Sequence, residues 1–184
     1  MEEQYSQRYS VKWLLDSISS GSTHEYVFFW SEKGATGCFS QWYMSNFKVD
    51  GHSYCCMEQY MMAQKAILFK DFGTLGKILQ SSDPRSIKAY GREVKGFDSV
   101  KWGENKSRIV FEGNMAKFGQ NKALMEKLLS TGDKVLVEAS PYDRIWGIGM
   151  RASEAAKEGP SKWRGENLLG FALMQVRDEL MRQA

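Results

Sequence analysis

Only two histidines, His24 and His52, occur in the 184 residues. A Ser-His-Asp or Cys-His triad would have to use one of them, and His52 falls in a turn signal, which argues against that chemistry. No HExxH pair, no Cys/His cluster with metal-ligand spacing, no GxxxxGK[ST] loop and no GxGxxG turn is present. These absences remove the common zinc, nucleoside-triphosphate and dinucleotide sites, so neither a metal nor a cofactor is expected. Cysteine is scarce as well: Cys38, Cys55 and Cys56, with no CxxC. Two adjacent cysteines bridge each other poorly, and the pattern fits a reduced, intracellular protein. No run of 18 apolar residues exists, so no membrane span is expected, and the first residues do not read as a signal peptide.

What the chain has is hydrophobic and aromatic material. Hydrophobic residues make up 42% and aromatics 13%, with six tryptophans, enough for the core of one domain. Tryptophan fills cores and also stacks on planar ligands. The formal net charge of +3 permits an anionic ligand but falls short of a nucleic-acid-binding stripe.

Residues 1–24 read as a loosely attached N-terminal arm containing a short helix over Val11–Ile18, and residues 25–184 as the domain. Glu25–Trp30 is β-branched and aromatic, as strands are. Asp50-Gly51 between apolar-containing arms signals a hairpin over Phe47–Tyr54. A buried helix over 57–69 follows, then a helix over Asp71–Gln80. Asp83 caps another, with Pro84 at its first position and Gly91 at its end. Longer helices are expected over Trp102–Phe118 and after Asn121, a strand over Lys134–Glu138, irregular chain over 141–162, and a last helix over Leu168–Met181 capped by Asn167. The sum is α+β, mostly helical with a few short strands.

Glu58 and Lys65 stand out. Seven residues is almost two helical turns, so both side chains share one face of a segment that is otherwise apolar nearly all round. Charged residues are seldom buried without partners. The helical rise separates the two by roughly 10 Å, which favours something polar between them over a direct pair. Full solvation at the rim is the alternative.

Other candidates are weaker. Asp143-Arg-Ile-Trp-Gly-Ile-Gly149 can present a ring face beside a carboxylate, or simply be a turn whose Trp146 caps the core. Gly165-Glu-Asn167 opens the last helix, where free N–H groups favour anions, though plain capping explains it equally well. Trp102 reads as core or as stacking platform. Cys55 and Cys56 read as structural. Lys106, Arg108 and Lys117 read as solvated helix charges.

Several ordered stretches together resemble the NADAR (YbiA-like) family over about residues 26–181. They include Ser45-Asn46-Phe47, Val49-Asp-Gly-His-Ser-Tyr54, Met57-Glu-Gln-Tyr-Met-Met-Ala-Gln-Lys65, Gly91-Arg92, Trp102, Lys117-Phe118, Leu129-Ser-Thr-Gly-Asp133, Leu136-Val-Glu-Ala-Ser140, Asp143–Gly149 and Gly165–Gly170. The resemblance implies NAD- or ADP-ribose-related ligands and N-glycosidase activity, without a metal. The substrate it implies is ADP-ribosylated nucleic acid, with ADP-ribose removed from guanine, or else a small ribosylated nucleotide-like molecule such as a riboflavin-pathway intermediate. A non-catalytic ADP-ribose reader is the third possibility; the pairing of Glu58 with Lys65 favours an enzyme.

On that resemblance Glu58, Lys65 and Asp143 are the catalytic group, with Asp143 on ribose hydroxyls. Asn46, Phe47, Tyr60, Arg92, Trp102, Trp146, Gly147 and Asn167 are expected to bind substrate, the two tryptophans by stacking, and Arg92 and the N–H groups of 165–167 on phosphate. Two departures matter. The family commonly has Glu-His where this chain has Glu58-Gln59, and some members carry an acid where this chain has Ile148.

Overall fold

A computed structural model describes residues 5–183. Among them are eight α-helices and four short strands, an α+β arrangement that is mostly helical. Strand β1 (Tyr26–Phe29) pairs in parallel with β4 (Val135–Glu138), Tyr26 opposite Val135 and Phe29 opposite Glu138. Strands β2 (Phe47–Val49) and β3 (His52–Tyr54) form the expected hairpin. Asp50 and Gly51 both have positive φ, 49° and 79°, the conformation a two-residue hairpin turn requires.

Helix α2 (Met57–Leu68) lies at the centre, packed by α3 (Phe72–Gln80), α4 (Pro84–Glu93) and α5 (Ser99–Gln120). Helix α8 (Leu168–Gln183) packs on β4 and α5, with α6 (Lys122–Leu129) beside it. Local signals set several starts. Asp83 accepts from the amides of Arg85 and Ser86 with Pro84 in the first turn, and Asp98 accepts from Lys101.

The structure departs from expectation in places, each for a tertiary reason. Gly91 does not end α4, which runs to Glu93. It lets α4 cross α2 closely: a Cβ there would sit 1.9 Å from Met62 Sδ. Residues 141–162 contain α7 (Ala152–Glu158). Asn121 flanks α6, but its amide donates to the carbonyls of Lys117 and Asn46 rather than capping the helix.

The described part of the N-terminal segment is not a loose arm. Leu14 of α1 (Val11–Ser19) is fully buried, and Tyr9 donates to Asp178 of α8. Gln175 brackets the same stretch, accepting from the Arg8 amide and donating to the Ser6 carbonyl. Burying Leu14 holds the segment on the body more firmly than its polar composition suggests. Residues 1–4 of the expected arm lie outside the described residues.

Candidate active site

The C-terminal ends of β1 and β4, the first turn of α2 and one face of α4 surround an open cavity of about 630 Å³. That is within the range of ligand pockets, and the ends of parallel strands are where open sheets place ligands. Glu58, Lys65, Lys88, Arg92, Glu138 and Asp143 all line it, with Trp30, Gln41, Trp42, Tyr142 and Trp146 among the other walls.

Glu58 is 3% exposed. Its Oε2 accepts from Trp42 Nε1 at 3.2 Å, while Oε1 is buried without a partner. Burial pushes its pKa up to about 7, against the opposing pull of Lys88, the Trp42 hydrogen bond and Arg92; the Asp143 carboxyl pushes the same way as burial. A position in the first turn of a helix would ordinarily favour the carboxylate, so desolvation outweighs the helix here.

Glu138 is the second buried carboxyl, and the sequence reading did not select it. It ends β4, partly exposed as a residue, yet its Oε2 is shielded from water with no partner. Burial pushes its pKa up to about 8, with Asp143 and Glu58 adding repulsion and Lys88 opposing. Gln41 Oε1 is a third buried acceptor without a partner on this cavity. Three buried acceptors without a partner among the described residues, on side chains that line one space, call for a ligand or solvent to satisfy them.

The cations nearest these acids in effect are Lys88 and Arg92, one turn apart on α4. Neither belongs to an ion pair among the described residues. Lys65 lines the same cavity but does not lean on Glu58. Its Nζ donates to the Gly91 carbonyl at 2.7 Å and lies 4.4 Å from the centre of the Phe97 ring. Its pKa is lowered by burial, with no carboxylate opposing the shift.

Asp143 fixes its own loop: Oδ1 accepts from the amides of Ile145 and Trp146. That loop is locked to the chain before α8, because Glu166, Asn167, Leu168 and Leu169 donate their amides to the carbonyls of Arg144, Gly147, Ile145 and Trp146. The expected phosphate site at 165–167 is therefore corrected: the Glu166 and Asn167 N–H groups are already engaged. Gly165 is there for contact, since a Cβ would meet the Gly147 carbonyl oxygen at 2.3 Å.

Other expected binding residues lie outside the cavity lining. Phe47 and Tyr60 are core side chains in ring contact, and Tyr60 packs where Gly113 leaves room for it. Asn46 is exposed, its carbonyl accepting from Asn121. Gly147 is buried, its carbonyl serving Asn167. Asn167, with φ 54°, accepts from the Glu138 amide and donates to the Leu136 carbonyl, so it aims β4 rather than capping α8. Trp102 is partly buried, its ring centre 5.9 Å from Lys65 Nζ. Gln59 faces away from the site and ties the end of α3, donating to the carbonyls of Ile78 and Ser81.

Lys117 is no solvated charge. It is fully buried, donates to the carbonyls of Cys38 and Ser40, and has its pKa lowered to about 8 by burial. It thereby holds the loop that brings Gln41 and Trp42 to the cavity. Cys56 is buried, with its thiol pKa pushed up to about 12, as an inert structural cysteine has.

Comparison with known proteins places this arrangement. The model of the NADAR domain matches residues 28–181, and the chain belongs to the NADAR family. It is 47% identical over 165 residues to N-glycosidase R617 of Acanthamoeba polyphaga mimivirus, covering 85% of this chain and 97% of that protein. The NMR structure of the Escherichia coli protein YbiA has the same fold, with a TM-score of 0.73 at 28% identity over 88% of each chain. Riboflavin biosynthesis protein VVA0006 of Vibrio vulnificus is 28% identical over 171 residues, 93% of this chain but 43% of that protein.

Proposed function

We propose that this N-glycosidase removes ADP-ribose from guanine bases in nucleic acid. The observation that carries the reading is the pair of buried carboxyls, Glu58 and Glu138, beside Lys88 and Arg92 in one cavity. Cleavage of a ribosyl C1–N bond develops positive charge on the sugar and negative charge on the departing base. A carboxylate answers the first and an acid the second. Glu138, whose Oε2 is shielded from water and whose pKa burial raises, is the acid that protonates the base nitrogen. Glu58, held by Trp42, is the carboxylate that faces ribose C1 and takes a proton from the water that adds there. The products are the free base position and ADP-ribose. Asp143 suits the ribose hydroxyls, Lys88 and Arg92 suit a diphosphate, and Trp146 offers a ring to the adenine.

Lys65 supports a covalent variant of the same cleavage. Its amine adds to C1 as the base leaves, one amine proton goes to the base and the other to the ring oxygen, and the resulting imine is hydrolysed by water. A pKa lowered by burial and opposed by no carboxylate favours the neutral amine this needs. A second substrate, a riboflavin-pathway ribosylamino-pyrimidine phosphate, is favoured by the name of the Vibrio vulnificus relative, of which this chain spans less than half. The purified protein is incubated separately with a guanine-ADP-ribosylated oligonucleotide and with riboflavin-pathway intermediates, and products are weighed by mass spectrometry. Release of ADP-ribose from the first alone is expected; cleavage of the second alone would replace the lead substrate.

A further inference from the structure

Two aromatic side chains at the cavity mouth have no part in the cleavage chemistry. Trp30 directly follows β1 and is 44% exposed; Tyr142 follows β4 and is 80% exposed. Both line the cavity that holds Glu58 and Glu138. Their ring centres are 5.9 Å apart and their planes are inclined by 52°. A tyrosine so exposed gains little by burial, so core packing does not account for it. The parallel pairing of β1 with β4 is what brings them together, since it sets Phe29 opposite Glu138 and sends both strand ends toward the same rim.

The cavity is chemically divided. Cations come from α4, through Lys88 and Arg92, and from Lys65 of α2, and the acids come from α2, β4, the loop after β4 and, at Glu32, the chain after β1. The Trp30–Tyr142 rim carries ring faces and a hydroxyl, and the charges beside it in the chain, Glu32 and Asp143, are acids that repel a phosphate rather than hold one. A ligand whose scissile bond lies at the acids presents two unlike halves: an anionic sugar phosphate, which the α4 cations attract, and an uncharged planar base, which ring faces attract. The tilt between the rings leaves no parallel slot, so the base lies on the outer face of the pair rather than between its members.

We propose that Trp30 and Tyr142 form a stacking subsite for the purine base on the leaving side of the bond, so that they set specificity for the base and leave ADP-ribose recognition to the rest of the cavity. This deepens the N-glycosidase reading and rests on it.

The test uses the full chain and Trp30→Ala, Tyr142→Ala and Tyr142→Phe variants. KM and kcat are measured on a guanine-ADP-ribosylated oligonucleotide, and Kd for ADP-ribose, which lacks the base. Each alanine variant is expected to raise KM about tenfold, the usual loss for one stacking partner, with ADP-ribose affinity changed less than about twofold. Tyr142→Phe is expected to behave as wild type, because stacking needs the ring and not the hydroxyl. Unchanged KM in both alanine variants, an equal loss of ADP-ribose affinity, or a Phe variant as impaired as the Ala variant would each overturn the subsite. If the wild type does not cleave this substrate, the proposed function fails, and guanosine then serves as the probe of the subsite. Quenching of tryptophan fluorescence by guanosine that disappears in Trp30→Ala and weakens in Tyr142→Ala upholds the subsite; quenching that neither variant alters, or none in wild type, overturns it.

Discussion

The two ends of α2 open on the same cavity, yet their surroundings differ. At the first turn Glu58 is sealed, with one oxygen held by Trp42 and the other left without a partner among other acids. Two turns on, Lys65 has a partner in the Gly91 carbonyl and a ring beside it, and no carboxylate pulls on its charge. The same helix face thus delivers an acid whose pKa burial raises and an amine whose pKa burial lowers, the amine already hydrogen-bonded to a carbonyl. Shared direction along a helix does not make two groups a pair; what packs against each turn decides its chemistry. The elements that do so here are β4 and the Gln41–Trp42 loop at one end and α4 at the other.

The largest expected effect lies at the Glu58 end. Glu58→Gln keeps the shape and removes the charge, and a loss of transition-state stabilisation of this kind costs about a hundredfold or more in kcat. The circular dichroism spectrum should be unchanged. A purified variant retaining more than about a tenth of the wild-type rate would remove Glu58 from the chemistry.

At the other end, borohydride added during turnover should trap a ribose adduct on Lys65, read by mass spectrometry of the peptide spanning residues 57–70. Lys65→Arg keeps the charge but cannot form the imine, and should fall about a hundredfold as a nucleophile replacement does. No adduct together with near-normal turnover would leave Lys65 as a fixed cation and Glu58 with water as the whole mechanism.

Stability sharpens the contrast further. A carboxyl whose pKa is higher in the folded than in the unfolded chain binds more protons when folded, so stability falls as pH rises through that window. For Glu58 and Glu138 the window runs from the ordinary carboxyl value near 4.5 up to about 7 and about 8. Urea unfolding should show the wild type less stable at pH 8.5 than at pH 5.5, by on the order of a few kcal/mol at most. Glu58→Gln with Glu138→Gln should flatten that slope; an unchanged slope would mean the two acids are not desolvated.

The smallest effect separates the two tryptophans. Trp146 lines the cavity and Trp102 does not. Trp146→Ala should weaken ADP-ribose binding about tenfold. Trp102→Ala should mainly lower the melting temperature, since it removes a partly buried ring beside Lys65. Equal effects of the two variants on binding would put Trp102 back in the site.

Glu58 was legible in the sequence because an acid inside an all-round apolar helix is conspicuous, and Asp50-Gly51 announced its hairpin in two residues. Glu138 was not, because a Glu closing an apolar strand looks like the strand's solvent-facing end. Its surroundings come from across the fold: the pairing with β1, the Asn167 side chain on its amide and the Ile148 amide on its carbonyl. Lys88 was not singled out in the sequence, because nothing local says which face of α4 meets the cavity. Asn167 sat where a cap belongs, yet its left-handed backbone turns its side chain onto β4, a contact made across the fold. Residues fixed by neighbours in sequence could be read; those fixed by distant strands could not.

In the proposed cleavage two buried acids of raised pKa work at one bond. The direct measurement is the pH dependence of kcat/KM from pH 5 to 9 for wild type and for Glu138→Gln. A carboxylate that must be ionised near 7 and an acid that must stay protonated to about 8 predict a bell with its maximum between those values. In Glu138→Gln the residual rate should keep the acid limb and lose the alkaline one. A wild-type profile flat across this range, or an alkaline limb that survives in Glu138→Gln, would contradict it.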